Sequence, residues 1–320
     1  MKILLSILLF VCYAIDPESP QADITNGIVR TTVYLPDPQQ GYYRGTRFDW
    51  SGAFKSLDYD GHHYVEPWFE KYDPKTHDAI SGPAEEFTAL GFTDAKPGET
   101  FVKIGVGVLR KPDDKPYAFA QYYDVVDHGK WDVKTAKDHV DFQHELTDAN
   151  GYGYRYTKTV RLTKDKPELV LEHRLKNTGK VRIETSVYDH NFFIIDGQPT
   201  GPAITVRFPF AVKAEGKGFG SVIYARDSSL VYGRELEKKE QVYSAGLQGF
   251  GATADAYDIR IENLKTGAGL RATSDQPLEK LVFWACSTTS CPEPYVRLRV
   301  MPGQEATWKI RYAFYQKKRL

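Results

Sequence analysis

The amino-acid sequence predicts an antiparallel all-β chain, of a size that suits a large β-sandwich or barrel, and three observations lead there. Turn-forming clusters recur at strand-and-turn intervals, among them DAKPGE (94–99), KPDDKP (111–116), TDANG (147–151), TKDKPE (163–168), KNTGK (176–180), DGQPTG (196–201) and MPG (301–303). Short runs rich in Val, Ile, Thr, Tyr and Phe lie between them. The chain carries 21 Tyr, 17 Phe and 5 Trp, side chains that suit a pleated, half-buried surface. No Gly-rich phosphate loop follows a strand and no strand–helix alternation appears, which argues against a parallel α/β sheet.

The bulk properties narrow the function. Lys and Arg number 42 against 42 Asp and Glu, dispersed along the chain, so a protein that tracks a nucleic-acid backbone is disfavoured. At 41% hydrophobic and 26% charged residues the chain is not disordered. Its 320 residues suit one large core or two close-packed lobes.

From the N-terminus, Lys2 supplies a positive start, residues 3–11 form an apolar run, and Cys12 and Ala14 sit at the −3 and −1 positions of a cut after Ala14. This reads as a secretory signal peptide over residues 1–14 and predicts a secreted or periplasmic protein. A membrane anchor needs roughly 18 or more apolar residues, and Asp16 and Glu18 end the run too early; no later stretch is long enough to span a bilayer. Lipidation at Cys12 usually needs a small preceding residue, and Val11 is not small. Cys286 and Cys291 lie five positions apart, as a disulfide closing a short loop or as two separate buried thiols.

Two N-terminal segments carry groups that clamp polyols. In GYYRGTRFDWSG (41–52), Arg44 or Arg47, Asp49 and Trp50 offer a guanidinium, a carboxylate and an indole; Glu86 follows in GPAEEF. Such groups bind vicinal hydroxyls and the apolar face of a sugar ring, although Arg47 and Asp49 share strand parity and equally suit an ion pair without ligand. The run GPAEEFTALGF from Gly82 is the clearest helical candidate, with Pro83 in the first turn.

The middle of the chain is the most informative. A strand through Thr159 to Leu162 turns at 165–167 and returns from Leu169 to Leu175 before an Asn177-Thr178-Gly179 turn. In the next run Val181, Ile183 and Val187 share one face by the period of two, while Arg182, Glu184, Ser186, Tyr188 and His190 share the other. His190 therefore emerges opposite a core face, flanked by Tyr188, Phe192 and Phe193, where an imidazole can exchange protons near neutral pH. Near the C-terminus, Val296, Leu298 and Val300 mark one face and Glu293 shares parity with Tyr295, Arg297 and Arg299. Pro294 stands within this run and leaves the facing of Glu293 open.

These segments resemble the aldose 1-epimerase (galactose mutarotase) superfamily. The strand ending in Asn177-Thr178-Gly179, followed by His190, Phe192, Phe193 and Gly197, is similar to that group's core signature, with Asp189 and Ile194 where its members usually carry Asn. Residues 281–315 look like its closing strands. The resemblance implies a galactose mutarotase-like supersandwich over residues 15–320, no cofactor, and Glu293 as general base with His190 as general acid on opposite sides of a sugar ring. Arg47, Trp50, Glu86 and Asp196 then become candidate sugar contacts.

Other chemistries fit less well. Eight histidines show no metal-ligand spacing, and there is no GxSxG nucleophile elbow. A phosphorylated sugar needs a cationic pocket, which Arg297 and Arg299 offer, but secretion argues against such a substrate. A polysaccharide lyase or hydrolase is the poorest fit, because such enzymes commonly append this sandwich to a further domain. The expected ligand is a mono- or oligosaccharide, and the expected activity is anomer interconversion, with a non-catalytic carbohydrate-binding or accessory module as the alternative.

Overall fold

Alternation along the strands builds this molecule. In strand Glu305–Gln316, Trp308, Ile310, Tyr312 and Phe314 point inward while Lys309 and Arg311 point out, as the two-residue repeat of a pleated strand requires. A computed structural model describes residues 18–147 and 150–317. The predicted signal peptide and Cys12 lie outside the described residues. Among those described there is no α-helix, only a 3-10 turn at Ala254–Ala256, and no helix long and apolar enough to cross a membrane.

Four antiparallel sheets of ten, five, four and three strands make up the all-β architecture. The ten-stranded sheet is centred on strands Gly153–Leu162, Glu168–Asn177 and Glu305–Gln316. The five-stranded sheet runs Gln241–Ser244, Lys280–Cys286, Ser290–Val300, Ile183–Phe192, Gly82–Phe87. These two face each other: the Phe87 ring lies edge-on to Tyr156 at 5.3 Å and to Trp308 at 6.1 Å, and Phe193 meets Tyr312 at 5.4 Å. Each large side chain buried there contributes roughly 1.5–3 kcal/mol.

The predicted Asn-Thr-Gly turn is present and its sequence explains it. The Asn177 carboxamide donates to the carbonyls of Val181 and Val300, both at 2.9 Å, and accepts from the Gly179 N–H at 2.9 Å. One side chain thus ties the turn to the strand carrying Glu293. Val181 departs from expectation: it is exposed, because its N–H bonds to Gly151 within the turn and the strand begins only at Ile183.

The helix expected from Gly82 is a strand, Gly82–Phe87, with every residue buried. Its backbone pairs with the His190 strand from Phe87 opposite Val187 to Gly82 opposite Phe192. Gly82 has φ +79 and a Cβ there would lie 2.8 Å from Phe54. Pairing outweighs the helical propensity of the Ala-Glu-Glu stretch, and alternation sends Glu85 to one side of the sheet and Glu86 to the other. Cys286 and Cys291 are both free thiols; across the hairpin the backbone neighbours of Cys291 and Cys286 are Trp284 and Thr289, so the two sulfurs are diagonal to one another.

Candidate active site

The outer face of the five-stranded sheet floors a cleft of about 780 Å³. Register assembles its centre. Tyr188 lies opposite Tyr295 on one side and Glu86 on the other, and Lys280 is opposite Tyr295, so these four side chains form a row across four strands. One residue pair further along, His190 stands opposite Ala84 and beside Glu293, whose other neighbour is Val282. His190 Nε2 is 3.3 Å from a Glu293 carboxylate oxygen. The strand Ser290–Val300 keeps its register through Pro292 and Pro294, so Glu293 does face the cleft with Tyr295.

An irregular loop brings Arg47 onto this floor. Its Nε donates to Glu86 at 2.9 Å and a terminal nitrogen donates to the Tyr188 hydroxyl at 2.9 Å. Glu86 also accepts from Lys103 Nζ at 2.8 Å and from the Tyr188 hydroxyl at 2.6 Å. Burial by itself raises a carboxyl pKa, but Lys103 and Arg47 outweigh it and hold Glu86 down at about 2. Burial lowers the pKa of the Lys103 ammonium, against the pull of Glu86.

The central pair lacks such compensation. Desolvation lifts Glu293 to about 8, with Arg47 opposing and Glu86 adding to the rise. Desolvation, then repulsion from Arg47, drives His190 well below its usual value. Its Nδ1 has no hydrogen-bond partner, while Phe192 stacks on the ring at 3.8 Å and Phe48 and Trp284 meet it edge-on at 6.0 and 5.5 Å. At neutral pH the pair therefore holds one proton, resting on Glu293, beside a neutral imidazole.

Beneath the floor the same strands carry a second polar layer. Glu85 accepts from His173 Nε2 at 2.9 Å and pairs with Lys158 at 2.6 Å. Asp49 accepts from the Ser51 and Tyr156 hydroxyls, and Asp189 from Tyr257. Arg47 and Asp49 thus serve different networks and do not pair with one another. The layer rigidifies the sheet from behind, since buried polar groups with partners fix one arrangement.

Of the residues singled out in the sequence, His190, Glu293, Arg47 and Glu86 meet in this cleft. Trp50 and Asp196 do not line it. The Trp50 indole is buried and donates to the Gly45 carbonyl at 2.8 Å, so it anchors the Arg47 loop from within. Asp196 sits in a turn with φ +57 and binds His62 Nδ1 at 2.9 Å and the His63 N–H at 3.1 Å, fastening that turn to strand His62–Val65. The expected placement of His190 and Glu293 on opposite sides of a ring also gives way: they are neighbours on adjacent strands, and no ring fits between them. Arg297 and Arg299 lie beyond the cleft, paired with Glu184 at the surface.

The sequence reading missed most of the walls. Trp68, Tyr117 and Phe119 come from loops, His77 and Asp78 pair at 3.2 Å, and Lys217, Tyr243, Lys280 and Trp284 close the far end. Trp284 was accessible to the period of two, since Leu281 and Phe283 mark the opposite face; the loop residues carry no such signal.

Comparison with known proteins follows the fold. No family model matches the chain, and no curated protein sequence does. Among solved structures, the galactose mutarotase related enzyme from Lactobacillus acidophilus superposes with a TM-score of 0.55 at 11% identity, over 92% of this chain and 97% of that one. The GalM/aldose epimerase homologue from C. elegans gives 0.55 at 13% identity, over 93% and 99%. A galactose mutarotase-like protein from Lactobacillus casei ATCC 334 gives 0.52 at 12% identity, over 92% and 100%. These superpositions cover nearly the whole of each chain, and the protein accordingly has the galactose mutarotase-like fold.

Proposed function

We propose that this cleft binds a sugar and that His190 and Glu293 interconvert its anomers by opening and reclosing the ring. The observation that carries the reading is the 3.3 Å contact between the two side chains at the centre of the cleft floor. Ring opening takes a proton from the anomeric hydroxyl, delivers one to the ring oxygen and breaks the bond between that oxygen and the anomeric carbon. Both oxygens are bonded to one carbon, so two groups held close together can serve them. A pair sharing one proton is an acid and a base at once. Glu293 donates to the ring oxygen while His190 accepts from the hydroxyl; after rotation of the aldehyde, the same steps in reverse give the other anomer.

The surroundings support the same reading. Trp68 and Trp284 offer ring faces and edges to an apolar sugar surface, and the Arg47–Glu86–Tyr188 cluster supplies donors and acceptors for hydroxyls. The chemistry needs no cofactor. Export by the N-terminal segment belongs to the proposal too, and N-terminal sequencing of the mature protein is expected to begin at Ile15.

Polarimetry on fresh α-glucose and α-galactose tests the activity. Equilibration faster than in buffer, lost in Glu293→Gln, is the expected result. Rates equal to buffer across several sugars would sink the catalytic reading, and if sugars still bound, the cleft would be that of a carbohydrate-binding module.

A further inference from the structure

The charges lining the cleft are balanced at one end and unbalanced at the other. Near Glu86, Arg47 and Lys103 both engage that carboxylate, and His77 faces Asp78. At the opposite edge Lys217 and Lys280 line the mouth, and among the described residues neither forms an ion pair. Lys280 Nζ stands 5.2 Å over the Tyr295 ring. Glu240, which feels the charge of Lys217, is held by Arg234 through two bonds of 2.7 Å. Among the residues lining the cleft, Arg47, Lys217 and Lys280 stand against Glu86, Asp78 and Glu293, and of these carboxylates Glu86 is already taken by Arg47 and Asp78 faces His77.

We propose that the sugar taken by this cleft is a uronic acid, its carboxylate held by Lys217 and Lys280. The inference rests on the sugar-binding reading above and deepens it. Register supplies the geometry: Lys280 lies opposite Tyr295, and Glu293 lies opposite Val282. Lys280 and Glu293 are therefore diagonal neighbours on one face, about 7 to 8 Å apart at the backbone. Lys217 enters from the other side of the Glu293 row, its backbone bridged to Tyr243, which stands opposite Trp284, so the two lysines approach the cleft from either side of that row.

A pyranose places its acidic substituent to match. The carbon bearing the carboxylate is bonded to the ring oxygen, on the side away from the anomeric carbon. With the ring oxygen and anomeric hydroxyl at Glu293 and His190, that carboxylate emerges beside the pair and not across the ring. A neutral hydroxymethyl group there leaves both ammonium groups without a counter-charge. Lysines act as point charges that attract carboxylate and phosphate alike, and a dianionic phosphate commonly recruits Arg forks or backbone N–H cradles as well. The one guanidinium on the floor is already committed to Glu86 and Tyr188, so a singly charged carboxylate fits better than a phosphate.

Calorimetric titration of the full chain with glucuronate, galacturonate, glucose and glucose 6-phosphate tests this. A uronate is expected to bind about tenfold more tightly than glucose at low ionic strength, with the advantage shrinking in about 1 M salt. In a Lys217→Met/Lys280→Met variant the uronate-to-glucose ratio is expected to fall to about one; both lysines are exposed, and a melting curve checks that the variant folds. Glucose binding as tightly as the uronates, or a ratio unmoved by the double substitution, overturns the inference and leaves sugar binding standing. Tighter binding of glucose 6-phosphate overturns it in favour of a phosphate. Failure of all four sugars to bind overturns the sugar-binding reading along with it.

Discussion

His190 Nε2 lies 3.3 Å from a carboxylate oxygen of Glu293, the two side chains projecting from neighbouring antiparallel strands onto one face of the sheet. Burial disfavours charge on both, so the pair is neutral overall, with the proton on the carboxyl. The pH dependence of sugar turnover should carry that signature. Relaxation rates measured by polarimetry are expected to hold level through neutral pH and to decline above about pH 8, as Glu293 loses the proton it donates. A profile that instead rises through pH 8 would contradict the assignment of Glu293 as acid.

Glu293→Gln is expected to lower the catalysed rate roughly 10²- to 10⁴-fold, the usual contribution of one proton-transfer group. The same variant has a stability signature of the opposite sense. Glu293 stays protonated in the folded chain up to about pH 8, while the unfolded carboxyl ionises around its ordinary value of 4.5. The folded state thus binds more protons across that interval, and its stability falls as pH rises. Glutamine removes this dependence, so the gap in melting temperature should move in favour of the variant between pH 5 and 8.

Glu86 behaves in the other direction. Lys103 and Arg47 keep it ionised down to about pH 2, so its contribution is present above the ordinary carboxyl value and disappears as pH falls towards 2. Replacing it by Gln strands two buried cations, and chemical denaturation is expected to register a loss of about 3–5 kcal/mol. Adding Lys103→Met should recover part of that loss, and a double-mutant cycle measures the coupling.

Trp50 and Trp68 separate packing from binding. Trp50→Phe removes one buried hydrogen bond to Gly45 and is expected to cost about 1–3 kcal/mol of stability, with sugar affinity moving only as far as the Arg47 loop moves. Trp68→Ala opens the cleft wall beside Phe192, on which its ring stacks at 5.1 Å. Titration should show weaker sugar binding there with a smaller stability change than in core truncations.

Asp196→Ala is expected to leave turnover at the native rate, because its carboxylate serves His62 and the His63 N–H and does not reach the cleft. Thermal melting should show a modest loss as that turn comes free. A large drop in turnover from a fully folded variant would mean that the turn positions the cleft through Phe193 and Ile194.

The centre of this site is legible in the sequence. The parity of Ile183, Val187, Tyr188 and His190 follows from the alternation of a pleated strand, whereas the shared face of Glu293 and Tyr295 needed the observed register through Pro294. The Asn177 turn was legible because its chemistry is local. Reading stopped where a segment's state depends on distant partners. The Ala-Glu-Glu stretch after Pro83 reads as helix in isolation, and only pairing with the His190 strand makes it a strand. Trp50 looked like a sugar platform because residue type carries no depth.

The sequence by itself thus determined the all-β class and the faces of the central strands, since backbone periodicity and turn chemistry act over a few residues; Glu293 became a proton-transfer candidate only through the family resemblance. Only the tertiary structure decided that His190 and Glu293 are neighbours and that Arg47 and Lys103 converge on Glu86. Those outcomes depend on register between strands distant in the chain and on side chains brought in from separate segments.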